Sequence, residues 1–399
     1  MAFATIDVTK GITGTIATDN LPTIPTTKGG TGLTSGFKNG VDPRPNTEPL
    51  FINGNMEVAQ RGTSETGQTG SGHFTCDRWG LGNTSLGTYT IEQSTDAPDN
   101  TGLGKSYKLD CTTADASPSA GDRLYFYYQF EGQEVQLLEK GTSDAKKSTL
   151  AFWVKSAKTG TYTVQAYDND NSRAVSVQYT ISSANTWEHK VLVIPADTSG
   201  AYDNDNASSL IFLWYLGAGS TRTSGTLQTS WGADVAANTA VGNVNLSDST
   251  SNDWYITGVQ LEVGEFTSTT LPPFQHETLG DNLLRCQRYF WRADTSTNAR
   301  PFCMGRYWSA DNVGGLLYYP VKMRTAPTVT WVNPTNGWLS SGGTGSSNDY
   351  FTDIVTDAAT TESVVWYTSG TSADGTAGYG TIIYTGTAGG RQMNCSAEL

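Results

Sequence analysis

The stretch NDWYITGVQLEVGEFTSTTLPPFQHETLGDNLLRCQRYFW, residues Asn252–Trp291, sets a strand, a break and a helix in succession. Trp254, Ile256 and Gly258 alternate with Tyr255, Thr257 and Val259, and the apolar pattern runs on through Leu261 and Val263. Period two is the signature of a strand. Pro272-Pro273 follows, and neither residue has an amide hydrogen to give a sheet. Leu279, Leu283, Cys286 and Phe290 then fall at steps of four, three and four, which predicts one short amphipathic helix. The stretch therefore reads as a joint between one β body and the next.

Upstream of the joint, apolar alternation recurs at short intervals. Strands are predicted at Thr88–Gln93, Ser106–Cys111, Arg123–Phe130, Leu150–Ser156, Thr161–Tyr167, Ala174–Ile181, Trp187–Ile194 and Ser209–Leu216. In one pair Val175, Val177, Tyr179 and Ile181 share a face that Tyr162, Val164 and Ala166 match across a polar turn. Many short antiparallel strands with no long helix between them predict an all-β fold, a jelly-roll-like β-sandwich. Downstream, Pro301–Ser309, Gly315–Met323, Pro327–Val332, Ser363–Ser369 and Gly380–Gly386 predict a smaller β domain. Its long polar loops are Asn333–Asp349 and Ser369–Gly378. The division is an extended arm over 1–45, the sandwich over 46–275, the linking helix over 276–291 and the C-terminal β domain over 292–399.

Composition agrees with that class. Of 399 residues only 16% are charged, 11% are aromatic and 44 are glycine, as suits short strands with many turns. A net charge of −13 argues against a nucleic-acid partner, because phosphates would be repelled. The five cysteines at 76, 111, 286, 303 and 395 are odd in number and lack C-x-x-C spacing. They read as free, buried thiols rather than a disulfide framework or zinc site. MAFATIDVTKG has no basic start before an apolar core, so no secretory signal is expected. No apolar run reaches the roughly 18 residues a bilayer span needs. Residues 1–45 are rich in Thr, Gly, Ile and Pro and too poor in aromatics to form a core. Order in that arm is expected only against its own copies or a docking partner.

Three segments carry a resemblance to a known family. GVQLEVG, PFQH and LLRCQRYFW within the joint, FINGNMEVAQRGTS with CDRW at Phe51–Ser64 and Cys76–Trp79, and PVKMRTAPTVTW at Pro320–Trp331 resemble tail fibres and virion appendage proteins of tailed bacteriophages. With LAFWVKSAKTGTYTVQAY they touch about half the chain, and TTKGGTGLTSG (Thr26–Gly36) resembles a motif near the attachment ends of such fibres. The resemblance implies a sandwich like a carbohydrate-binding module, a homotrimer, attachment to other virion tail or head proteins through residues 1–45, and recognition of a host-surface glycan or protein. It also implies synthesis in a host cytoplasm and residence in the virion as a tail appendage. Two rival readings remain: a purely structural head fibre, connector or adaptor, and a polysaccharide depolymerase tailspike. The second predicts a repetitive β-helix, and no such period is visible.

The candidate site residues follow from chemistry. Sugar rings stack on aromatic faces while polar groups take their hydroxyls. Trp308, Tyr307, Trp338, Tyr350 and Trp366 in the distal domain and Trp231 in the sandwich lie in or beside predicted loops, and Trp338 and Trp308 are the best placed. YDNDN occurs twice, at Tyr167–Asn171 and Tyr202–Asn206. Asp168, Asp170, Asp203 and Asp205 are thus candidate calcium ligands, set against the plainer reading of turn residues, which the spacing favours. No other cofactor is expected. The resemblance implies that Arg61, Asp77, Arg78 and Trp79 fall in the stretch that recurs most in the related appendage proteins, and they read as structural, with Arg61 or Arg78 pairing Asp77 or Glu57. His73, His189 and His276 are scattered and show no catalytic-triad or metal spacing, so no enzyme is expected.

Overall fold

In a computed structural model of the chain, residues 48–293, 300–334, 337–341, 349–351, 354–368, 375–386 and 390–399 are described. The expected attachment arm over 1–45, with its Thr26–Gly36 motif, lies outside the described residues, as do parts of the two long distal loops. Twelve strands build the sandwich: β1 (Ser64–Gln68), β2 (Gly80–Thr84), β3 (Thr88–Ser94), β4 (Ser106–Thr113), β5 (Arg123–Glu131), β6 (Ser148–Ser156), β7 (Gly160–Asp168), β8 (Arg173–Ile181), β9 (Glu188–Ile194), β10 (Ser208–Ala218), β11 (Gly232–Ala233) and β12 (Asp253–Val263). One sheet runs β1-β3-β4-β12-β6-β9, the other β11-β8-β7-β10-β5-β2, and every pairing is antiparallel.

Alternation fixes what fills the space between the sheets. Leu124, Phe126, Tyr128 and Phe130 of β5 meet Leu210, Phe212, Trp214 and Leu216 of β10 in one buried cluster. Tyr162 faces Tyr179, Val164 faces Val177 and Ala166 faces Val175, in the expected register. The strand of the joint departs from simple alternation at one place. Trp254, Ile256, Val259 and Leu261 all enter the core, so an extra residue must be absorbed between Ile256 and Val259. Gly258 absorbs it at φ +60, where the ladder to β6 shifts register. This is a bulge, and a side chain there would be strained as well as too close to Leu103.

The predicted helix forms over Leu279–Gln287, its first turn capped by Thr278 Oγ1 accepting from the Asp281 amide at 3.2 Å. Phe290 is not on it: it opens β13 (Phe290–Arg292). Beyond follow β14 (Pro301–Tyr307), β15 (Val313–Tyr318), β16 (Thr328–Val332), β17 (Trp338–Ser341), β18 (Asp349–Phe351), β19 (Ile354–Ala359), β20 (Ser363–Thr368), β21 (Gly380–Thr385) and β22 (Gln392–Ser396). They make a three-stranded sheet, β13-β22-β16, and a seven-stranded sheet, β18-β17-β21-β14-β15-β20-β19. Among the described residues no helix is long and apolar enough to cross a membrane. All five cysteines are free, four of them buried.

Charged side chains tie the second part to the sandwich. Arg61 Nη1 lies 3.3 Å from Asp77 and its Nη2 3.0 Å from Glu398, while Arg78 Nη1 lies 2.7 Å from the same Glu398. Arg288 forks onto Glu131 at 2.8 and 2.7 Å, the bidentate geometry that a guanidinium favours. Asp77 thus pairs with Arg61 as the sequence suggests, but Arg78 finds its partner 320 positions away.

Candidate functional site

The β14–β15 hairpin delivers the most exposed tryptophan. Trp308 follows β14 directly and its amide donates to the Asn312 carbonyl at 2.9 Å, closing the turn. Its side chain is 55% exposed. The Arg306 guanidinium lies over the ring, 4.1 Å from its centroid, a cation–π contact. A Cβ at Gly314 would stand 2.5 Å from Trp308 Nε1, so glycine there lets the indole fold back toward the sheet. Directly across the ladder from Gly314 is Tyr367 on β20, itself 39% exposed.

These residues edge an open cleft of about 440 Å³ lined by Trp308, Asn312, Asp357, Val365, Trp366, Tyr367 and Thr368. Its size is that of a small-ligand site. Trp308 and Tyr367 supply aromatic surface, Asn312 an amide, and Asp357 an exposed carboxylate. That is an apolar platform with a few polar anchors. Among the described residues that line it there is one carboxylate, Asp357.

The structure distributes the other candidates differently from expectation. Trp338, Trp366 and Tyr307 are fully buried and cannot stack a ligand from solvent. Trp338 packs against Phe302 and Trp331 with ring centroids 4.9 and 5.7 Å away, and its Nε1 donates to Asn333 Oδ1 at 2.9 Å. The Gly, Ser and Asn residues around it in the sequence suggest a loop. Instead β17 pairs with β21 and turns its ring inward. Tyr307 hydroxyl meets Ser340 Oγ at 2.9 Å, and Trp366 forms the cleft's floor. Tyr350 is 37% exposed on β18, outside the cleft. Trp231 is half-buried against the sandwich and donates to the Pro195 carbonyl at 2.7 Å.

The aspartates of the two YDNDN segments are engaged locally. Asp168 Oδ2 lies 2.5 Å from the Lys140 ammonium, which also meets Asp197 Oδ2 at 3.2 Å and the carbonyls of Ser199 and Gly200 at 2.9 and 2.5 Å. A lysine therefore occupies the oxygen cage that a cation would want. Asp170 accepts from the Asp203 amide and Asp205 from the Ala207 amide, at 3.0 and 2.9 Å, which is turn chemistry. Among the described residues no group of three or more acidic, His or Cys side chains is arranged to hold a metal. Trp79, fully buried, stacks on Phe126 at 4.9 Å and donates to the Asn53 carbonyl at 2.9 Å.

Asn312, Asp357 and Tyr367 were not singled out from the sequence. Tyr367 had a signal: next to a buried Trp366 on a strand, its side chain must face the other way. Asp357 had none, because its strand β19 shows no clean apolar alternation.

No family model matches the chain, and no curated protein matches it. Among solved structures, the enzymatically active domain of tailspike protein 4 of bacteriophage CBA120 is 18% identical with TM-score 0.27, over 47% of this chain and 19% of that one. A module described as CBM4 is 11% identical with TM-score 0.28, over 53% of this chain and 99% of the module. The family 11 carbohydrate-binding module from Clostridium thermocellum, in complex with a β-1,3-1,4-mixed-linked tetrasaccharide, is 12% identical with TM-score 0.26, over 51% and 97%. The chain spans about a fifth of the tailspike domain's length, 19%.

Proposed function

We propose that this chain is a non-catalytic virion appendage, a phage tail fibre, that recognises a host-surface glycan. The observation that carries the reading is Trp308, an exposed indole edging a cleft that also offers Tyr367, Asn312 and Asp357. One face of the indole is backed by Arg306, which leaves the other to the C–H face of a sugar ring. The sequence segments that resemble phage appendages support the setting, and residues 1–45 would attach the chain to the particle. Weak single contacts then gain avidity when several copies engage together.

A direct test is binding to a panel of host-envelope oligosaccharides. Trp308→Ala is expected to weaken the best binder at least tenfold with the melting temperature unchanged. Equal binding by wild type and variant would remove the cleft from the argument. Failure of the soluble full chain to compete with phage adsorption would remove the receptor role.

A specific observation also favours self-association. Met304, Leu316 and Ile382 are 77, 42 and 40% exposed. The registers of β14 with β15 and β21 bring them onto one face of the seven-stranded sheet, beside Tyr318 at 68%. An apolar patch of this kind suits an interface, and we propose further copies of the chain in a homotrimer as its partner, seated beside Arg306 and Tyr367 on the same face and not over the cleft. Met304→Asp is expected to lower the mass seen by sedimentation equilibrium; an unchanged mass would reject this face as the contact.

A further inference from the structure

A second cleft lies on the polar face of the three-stranded sheet, and it stands apart from the Trp308 cleft. Register explains why one side of this sheet is wet. Phe290 and Thr328 both pair with Ser396, and Arg292 and Thr330 both pair with Asn394. Residues directly opposite in an antiparallel ladder share a face, so these six side chains lie together. The other face carries Met393, Cys395 and Val329 into a core.

Arg61, Glu65, His73 and Phe74 from the sandwich wall the opposite side, and the space between is about 400 Å³. Arg292 is the singular group in it. Its Nε donates to Asn394 Oδ1 and its Nη1 to the Arg61 carbonyl, both at 2.7 Å. Both acceptors are neutral, and Nη2 has no acceptor among the described residues. Arg61, by contrast, has Asp77 and Glu398 for partners. Burial, and then the neighbouring Arg61 charge, hold the Arg292 guanidinium below its ordinary value, with only Asp77 and Glu65 pulling the other way. Among the described residues, no carboxylate forms an ion pair with Arg292. His73 is pushed down to about 4 by burial and is neutral at pH 7, so it offers hydrogen bonding rather than charge.

We propose that this cleft binds an acidic saccharide unit, a sugar bearing a carboxylate, with Arg292 as the counter-charge and Thr328, Thr330, Ser396 and Asn394 meeting its hydroxyls. A lone inorganic anion would leave that row of hydroxyl and amide groups unused. A neutral sugar would leave Arg292 uncompensated. The Glu65 carboxylate on the rim opposes an anion and sets the affinity lower than the arginine alone would give.

The test is calorimetric titration of the full chain with tri-galacturonate, neutral tri-galactose and inorganic phosphate at two salt concentrations. Tri-galacturonate is expected to bind at least tenfold more tightly than tri-galactose, and more weakly at high salt. Arg292→Gln should lower that affinity at least tenfold and Arg292→Lys less. Glu65→Gln should raise it, and Trp308→Ala should leave it unchanged. Arg292 also anchors the Arg61 carbonyl, so Thr328→Val/Thr330→Val, at exposed strand positions, supplies a variant that keeps the fold and is expected to weaken binding. Three results would each overturn the assignment: tri-galactose binding as tightly as tri-galacturonate, phosphate matching tri-galacturonate, or indifference to Arg292→Gln. Loss of binding in Trp308→Ala alone would place the ligand in the other cleft.

Discussion

Single side chains divide cleanly into those that hold the body and those that meet solvent. Trp79 contacts three aromatic rings of the sandwich core besides Phe51. Trp79→Ala is expected to cost about 3–5 kcal/mol, the range for deleting a buried indole, as read from urea unfolding. Trp338 belongs with Trp79 and not with Trp308, since it is equally buried; its removal should also lower stability. Trp308→Ala should stay within about 0.5 kcal/mol of wild type, as exposed positions do. The Lys140 cage gives a sharper prediction. Lys140→Ala leaves Asp168 without its cation, while Asp197 keeps Arg173 forked onto it at 2.8 and 2.9 Å, at a cost of about 3–5 kcal/mol for orphaning the buried Asp168 charge. That vacated set of oxygens is what Ca²⁺ prefers. Millimolar Ca²⁺ is therefore expected to raise the melting temperature of Lys140→Ala and leave wild type alone. A variant indifferent to Ca²⁺ would show that the cage closes without its lysine.

At the level of strands, glycine can make room for a neighbour's ring. In β2 a Cβ on Gly80 would lie 2.2 Å from the Tyr127 ring, and one on Gly82 2.1 Å from Tyr125. The two tyrosines lie across the glycines of the edge strand. Gly82→Ala should cost about 1–3 kcal/mol as an overpacking change, and Tyr125→Ala in the same chain should recover much of it. A double variant no better than the sum of the singles would locate the effect in the backbone. The same strand shows where sequence reading stops. The eight sandwich strands with apolar alternation were legible to within two residues at either end. GLGNT has no alternation to read, because Leu81 is its one apolar residue turned inward and the outward positions are glycines that make room for Tyr127 and Tyr125. QMNCS in β22 and WLSS in β17 failed likewise, being too short and polar for a period to emerge. The predicted helix overran because Phe290 sits at helical spacing from Cys286, although β13 claims it through β22. The site was legible at Trp308 and at Trp366, which forms its floor. The Arg292 cleft depends on register between segments more than about 60 residues apart, which no local pattern encodes.

The two parts of the described chain meet over a buried network of charge, and its pH response belongs to the molecule as a whole. Burial would raise the Glu398 carboxyl, but His73, Arg78 and Arg61 outweigh it and bring it down to about 2. A depressed carboxylate contributes stability that is present above its unfolded value of 4.5 and is lost as pH falls toward 2. His73, pushed down from 6.5 to about 4 by burial, contributes stability present above 6.5 and lost as pH falls through 4. Asp77 acts in the opposite direction. Burial outweighs Arg61 and Gln60 and lifts it from 3.8 to about 6, so its folded form holds a proton longer than the unfolded chain does. Its contribution falls as pH rises from 3.8 to 6. Between about pH 4 and 6 the His73 and Asp77 effects oppose each other, and wild type should show a shallow profile there. His73→Gln should then gain stability on acidification across that window, because only the Asp77 effect remains. Glu398→Ala should be about 3–5 kcal/mol less stable than wild type at pH 7, since Arg61 and Arg78 lose a shared partner. That gap should hold steady above pH 4.5 and close as pH approaches 2. Urea unfolding of the three chains across this range decides it. A gap that stays open from pH 4.5 down to 2 would show that the stabilisation does not come from the ionised Glu398 carboxylate, and would make the tie between Glu398 and the sandwich incidental to how the two parts hold together.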